Sequence, residues 1–408
     1  MRRALWLGLA QCVAWGTLFY GFGIVLPAMQ RELGGSTVAL SGAFSLALAI
    51  SGAVGLAGGH WMDRGRERAV FFGGIGLGVA ALLSWANLDS VPALYLTMAA
   101  MGVAMALALY EPAFALVDRW YATTTEKNRA LTLVTLCGAL ASPIFVPLIT
   151  WSIGWRGWRE TLLGAAAVLA SMALVYRLVL DSASPVDRPA PSKPPPFGPS
   201  LWWLGAGAFG SSFGGVVAAT YLPTYLTTRG VGLDRAALVI AVMGLAQFPA
   251  RVVIASLTAR WGSARVFAMS LTLQALAIVL IPASGAIALV AAAVFGAGNG
   301  AATILRAVAA RELTGGRGYG ATVGRLGAFA ITARALAPIG GASLALIGGR
   351  VPFGVAAFIL LASALGNARA VGRAQGAGRK TPGAGRKMPG ASWSAEEPER
   401  TVGGGGSG

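Results

Sequence analysis

Twelve long apolar stretches run along the chain, and a polar insert at residues 181–200, with Pro194, Pro195 and Pro196 in a row, divides them six and six. Each stretch approaches or exceeds the roughly 20 residues that cross a hydrocarbon layer as a helix. Composition points to the same solvent, because 56% hydrophobic residues with 12% charged cannot cover a water-facing surface, whose charged share is normally about 25%. Lipid offers backbone N–H and C=O groups no partner, so each stretch is expected as a helix rather than an open strand. The expectation is an all-α integral membrane protein with twelve transmembrane helices in two pseudo-symmetric six-helix bundles. Residues 1–180 would form the N-terminal bundle, 181–200 a cytoplasmic linker, 201–368 the C-terminal bundle and 369–408 a disordered basic tail. The 58 glycines suit that packing, since small residues such as Gly52, Gly55 and Gly59, or Gly205, Gly210 and Gly214, let helices approach where no hydrophobic force drives them together.

The first stretch is expected to stay in the membrane, because the run after Arg2 and Arg3 is too long for a signal core. Cys12 and Cys137 both fall inside spans, which removes a disulfide framework or four-ligand zinc site and leaves them as small core residues. An even number of spans puts both termini on one side. Placing that side in the cytoplasm gives it Arg2, Arg3, Arg64, Arg66, Arg68, Arg119, Lys127, Arg129, Arg177, Arg188, Lys193, Arg260, Arg265, Arg311 and Arg317. The opposite side keeps Arg31, Arg156, Arg159, Arg229, Arg235 and Arg350. That excess orients the chain with both termini cytoplasmic in a cell inner membrane, by the rule that positive loops stay inside. The net charge of +17 is then topological and lipid-facing, and no nucleic acid is needed to explain it. After Arg369 the sequence Gly-Ala-Gly-Arg-Lys-x-Pro occurs at 376–382 and again at 383–389, a composition that cannot build a core.

The halves echo one another. Leu26-Pro27 is followed by a basic, glycine-bearing loop at Asp63-Arg64-Gly65-Arg66, and Leu222-Pro223 by Arg260-Trp261-Gly262 at nearly the same distance. Repeats of this kind build many secondary carriers, with the substrate site near mid-membrane between the halves. The loop after the second span carries a further signature: Gly59, three residues, Asp63-Arg64, then Gly65 and Arg66-Glu67-Arg68. It resembles the loop motif of the major facilitator superfamily, with the second glycine one position early. The resemblance covers about residues 1–368. It implies the major facilitator fold and a gate held by Gly59, Asp63, Arg64, Arg66 and Arg68, whose alternative is a charge cluster serving topology alone. Gln11-Cys12-Val13-Ala14-Trp15-Gly16, the run Leu40 to Ser45 and Tyr110-Glu111-Pro112-Ala113-Phe114 are similar to the branch of oxalate/formate antiporters and monocarboxylate transporters. Span five, reading Gly138-Ala139-Leu140-Ala141-Ser142-Pro143, lacks the glycine-proline signature of drug/proton antiporters.

Charges inside spans cost roughly 2.5 to 3.5 kcal/mol each at mid-helix. Arg306 and Arg325 lie near span ends, where long side chains reach the headgroups. Arg251 in span eight and Arg334 in span eleven lie deeper and are expected to face the interior. The branch resemblance implies an anion site built from a basic residue on each of these spans. A guanidinium offers a planar fork matching a carboxylate. Alternatively Arg251 pairs with Glu111, the glutamate that precedes the helix-opening Pro112. Glu111 is thus a candidate either for proton coupling or for a static ion pair. Gln11, Trp15, Tyr221, Gln247 and Asn299 are the remaining candidates to line a substrate cavity, the first four from their spacing of one helical turn from another polar or aromatic residue.

These features predict a secondary carrier of small organic anions, mono- or dicarboxylates, acting by alternating access. Its partners would be the anion, membrane lipid and possible coupling protons, and a monomer is expected. Neither a cofactor nor a metal is expected, and no glycine-rich loop followed by Lys-Ser/Thr marks a nucleotide-driven pump. No nucleophile triad marks an enzyme. The competing expectation is proton-coupled efflux of hydrophobic or cationic compounds.

Overall fold

The structure, a computed structural model, describes residues 1–121, 123–180, 196–283, 285–314 and 319–379, without the side chains at 56–60, 63, 124, 125, 128, 252, 255, 319–321 and 370–379. The linker at 181–195 and the tail beyond 379 lie outside the described residues. Among the described residues there is no strand, and twelve helices are long and apolar enough to cross a membrane. They are span 1 (Arg2–Leu33), span 2 (Thr37–Gly55), span 3 (Glu67–Asn87), span 4 (Val91–Trp120), span 5 (Arg129–Arg156) and span 6 (Trp158–Leu180). The second set is span 7 (Pro199–Thr227), span 8 (Leu233–Arg251), span 9 (Ser263–Leu280), span 10 (Gly285–Thr314), span 11 (Thr322–Ala345) and span 12 (Val351–Arg369). By chain direction Met1 lies at what is here the near end of the bundle, and the connection between spans 1 and 2 at the far end.

The spans turn their large side chains both ways, as lipid permits. Phe22 stacks on Phe44 with ring centroids 4.3 Å apart, and Phe71 on Tyr176 at 4.5 Å. Leu96, Leu174, Leu178 and Phe358 are exposed on the outside, which would be costly in water and is favourable against acyl chains. Tight turns keep neighbouring spans adjacent. Gly157, at φ +86°, ends span 5 and returns the chain into span 6, a conformation that a side chain would strain.

Glycines also set how closely spans approach. A methyl at Gly102 would meet the Ala47 carbonyl, and one at Gly296 the Met243 carbonyl. Three seams join the first six spans to the last six. Gly23 of span 1 lies against the Ala219 carbonyl of span 7. The Ile339 N–H of span 11 donates to Ser45 Oγ of span 2 at 3.0 Å, and Gly52 receives the Ile331 side chain. Gly244 of span 8 faces Ser142 and Pro143 of span 5. Spans 2 and 11 therefore run antiparallel in a register that pairs Ser45 with Ile339 and Gly52 with Ile331. The seam between spans 1 and 7 and the upper part of that between spans 2 and 11 sit in the far half.

Candidate functional site

Four spans lose regular α-helix at mid-length. In span 1 a π-helical stretch, Trp15–Tyr20, interrupts two α-helices. Span 4 breaks at Leu109, φ −86° and ψ −157°, between helices Val91–Ala108 and Tyr110–Trp120. Span 5 breaks at Leu140 and span 8 at Ala246. Each of the last three breaks lies three residues before a proline, Pro112, Pro143 or Pro249. A proline has no N–H for the carbonyl four residues back and its ring collides with that carbonyl. The carbonyls released belong to Ala108, Ala139 and Leu245. Gln11 supplies one replacement: its Nε2 donates to the Ala108 carbonyl at 2.8 Å, and approaches the Tyr176 hydroxyl at 3.4 Å. Gln11 is fully buried in that role, so the structure does not bring it to a cavity. Breaks and π-turns concentrate where a helix must present functional groups.

The four irregular stretches converge. Trp15 and Tyr110 pack with ring centroids 5.0 Å apart, and Tyr110 stacks on Phe114 at 5.1 Å. Tyr20 lies near the Ser142 hydroxyl. Arg251, on the near side of the span 8 break, lies within electrostatic reach of the Tyr110 and Tyr20 hydroxyls. Its Nη2 donates to Gln247 Oε1 at 3.3 Å, while Nε and Nη1 are buried without a hydrogen-bond partner. Trp15 Nε1 is likewise buried and unpartnered. Helix continues ten residues past Arg251, to Trp261, about 15 Å of rise, so the guanidinium cannot be an end anchor.

Arg334 lines a cavity of about 200 Å³ with Trp15, Phe19, Leu48, Ser51, Gly52, Gly55, Leu109, Glu111, Gly324, Gly327 and Ile331. Its Nε makes a long contact, 3.4 Å, to the Ala330 carbonyl of its own helix. The cavity lies on the near side of the Ser45 to Ile339 contact. Glu111 is exposed to this cavity, and among the described residues no ion pair joins it to Arg251. The expected alternative of an Arg251 to Glu111 bridge is not formed, because successive residues on the helix after Leu109 diverge by about 100°. Tyr110 takes the direction of Arg251, and Glu111 that of Arg334. A larger groove of about 780 Å³ lies between Pro147, Trp151, Trp155 and Leu238. Its indoles are 63% and 65% exposed, so it is a lipid-facing surface rather than a chamber between the spans.

Tyr221 is placed elsewhere: it packs with Tyr225 and Phe353 and donates to the Gly349 carbonyl at 3.4 Å, at the far end of spans 7 and 12. Asn299 donates to the Ser211 carbonyl at 3.1 Å, and Ser211 to Gln274 at 2.7 Å, joining spans 7, 9 and 10. The structure thus brings Trp15, Glu111 and Arg334 together, and Gln247 with Arg251, but leaves Gln11, Tyr221 and Asn299 in packing roles. Tyr110 and Tyr20 lie within electrostatic reach of Arg251; Tyr20 was a candidate on sequence grounds, and for Tyr110 the sequence signal was the proline three positions beyond the Leu109 break.

At the near end, the side chains of Gly59 and Asp63 lie outside the described residues. Arg64, Arg66 and Arg68 are exposed. The contact holding this loop comes from Arg119, whose Nη1 donates to the Met62 carbonyl at 2.7 Å and to Glu67 Oε2 at 3.2 Å. Lys127 pairs with Asp118 at 2.7 Å beside it.

A model of the Major Facilitator Superfamily matches residues 7–263, well over half of the chain. This chain belongs to the major facilitator superfamily. It is a multi-pass membrane transporter, not an enzyme, and its cargo is a small molecule. No curated protein sequence matches it closely enough to serve as a relative. Among solved structures, a bacterial homolog to the human lysosomal transporter Spinster, inward-facing and unoccupied, aligns with TM-score 0.65 at 15% identity, covering 93% of this chain and 96% of its own. The same homolog in its occupied inward-facing form aligns equally well. A mutant of the nucleoside transporter NupG aligns with TM-score 0.67 at 13% identity, covering 91% of this chain and 98% of its own. At those identities the likeness carries the major facilitator fold and nothing about cargo.

Proposed function

We propose that this transporter is a secondary carrier of small organic anions, carboxylates above all, working by alternating access. The observation that carries the reading is Arg251: a guanidinium ten residues before the end of its helix, with two buried donors and no partner for them. An unpaired charge there is expensive, and acceptor oxygens of a ligand carboxylate at these donors would repay that cost through charge-assisted contacts. Trp15 Nε1 adds a third donor without an acceptor, so the site calls for a solute rich in acceptors. The similarity of the Tyr110 to Phe114 segment to the oxalate/formate and monocarboxylate branch supports the same class.

Residues 1–180 and 201–368 are the two rocking bodies of this proposal, with the near end cytoplasmic in an inner membrane. The seams in the far half are closed and the Arg334 cavity lies below them, an arrangement suited to an inward-facing state. Efflux of cationic compounds is the competing reading, since Glu111 offers a carboxylate in a partly aromatic cavity; Arg334 in the same wall offsets it. Uptake of a radiolabelled organic-acid panel into proteoliposomes, with and without a pH gradient, tests the proposal. Carboxylate uptake that Arg251→Ala abolishes is the expected result. Uptake of organic cations alone, indifferent to Arg251→Ala, would overturn it.

A further inference from the structure

We infer that Glu111 sets the charge of the anion this carrier accepts, by answering Arg334 and leaving the Arg251 guanidinium to the solute. The inference rests on the organic-anion reading and narrows it to monocarboxylates. Three charges stand around the Trp15 to Tyr110 pair. Trp15 lines the cavity that holds both Glu111 and Arg334. Tyr110, 5.0 Å from Trp15 between ring centroids, lies within electrostatic reach of Arg251. Glu111 and Arg334 line the same cavity of about 200 Å³, so a solute entering it meets a carboxylate and a guanidinium together. Arg251 Nε and Nη1, by contrast, meet no acceptor.

Among these three the sum is one positive charge, and a solute with one carboxylate balances it. A dicarboxylate would bring a second negative group into the field of Glu111 and must compete with it for Arg334. The residue that precedes Pro112 thus acts on selectivity through Arg334, as a specificity determinant rather than a contact of the bound carboxylate. Its position follows from the helix phase after the Leu109 break, which turns Tyr110 and Glu111 in different directions.

The test uses benzoate and terephthalate, which share a flat ring and differ by one carboxylate, titrated calorimetrically into the full-length carrier in lipid nanodiscs. Wild type should bind benzoate more tightly than terephthalate. Glu111→Gln frees Arg334 and should move the affinity ratio about tenfold toward terephthalate, and Arg334→Gln should move it the other way by a comparable factor. The opposed shifts guard against a folding defect, which would weaken both ligands together. A ratio within about twofold of wild type in both variants, or shifts of the same sign, overturns the inference while leaving the organic-anion reading intact. Failure of both ligands to bind wild type overturns the two together.

Discussion

Arg251 and Arg334 are the same residue type at similar depth in the last six spans, yet their surroundings differ in kind. Around Arg251 the neighbours are neutral: the Gln247 amide, two tyrosine hydroxyls and an aromatic wall. Around Arg334 the cavity holds a carboxylate, Glu111. One guanidinium has two buried donors without an acceptor, and the other shares its cavity with a carboxylate. The difference teaches that burying a cation does not by itself define an anion site; what matters is which of its donors lack an answer.

The largest effect that would sharpen this contrast is expected from Arg251→Ala. Removing one partner of a buried charge pair costs about 2 to 5 kcal/mol, so carboxylate uptake should fall to background in proteoliposomes. Arg334→Ala should retain measurable monocarboxylate uptake, and an equal loss in the two variants would break the comparison. Next in size is Gln11→Leu, which leaves the Ala108 carbonyl without its donor. It should cost about 1 to 3 kcal/mol of stability, visible as earlier thermal unfolding in detergent, with the preference among anions unchanged; a changed preference would return Gln11 to the cavity. Gly23→Ala presses a methyl onto the Ala219 carbonyl and should cost about 1 to 3 kcal/mol in the far-end-closed state alone. A cysteine introduced on the far side of Trp15 should then react faster with an impermeant thiol reagent, and unchanged labelling would contradict the seam. The smallest effect is expected from Arg119→Ala, which removes the contacts to Met62 and Glu67 and should lower stability by about 1 kcal/mol while leaving affinity for carboxylates intact.

The fold was legible in the sequence because its causes are local. Apolar length sets a span, and lipid forbids anything but helix. Arg251 and Arg334 were legible for the same reason, since depth within a span is read by counting. The direction in which each side chain points was not. Gln11 and Trp15 are one turn apart, yet Gln11 turns inward to repair the carbonyl that Pro112 releases in another span, and Trp15 alone reaches the cavity. That division depends on a non-local contact and on the π-turn that begins at Trp15. The sequence offered Glu111 as a partner for Arg251, whereas the phase of one broken helix puts it in the cavity that Arg334 lines. Tyr221 and Asn299 had suitable spacing and polarity, but the far-end aromatic cluster and the network of spans 7, 9 and 10 claim them. The gate residues were named from the loop motif, whereas Arg119, which fastens that loop, comes from the end of another span and carries no motif of its own.

Calorimetric titration of benzoate into wild-type and Arg251→Gln carrier in nanodiscs bears most directly on the claim that span 8 supplies the anion's partner. Binding by the wild type and none by a folded Arg251→Gln protein is the predicted result. Equal affinity in the two proteins would contradict it.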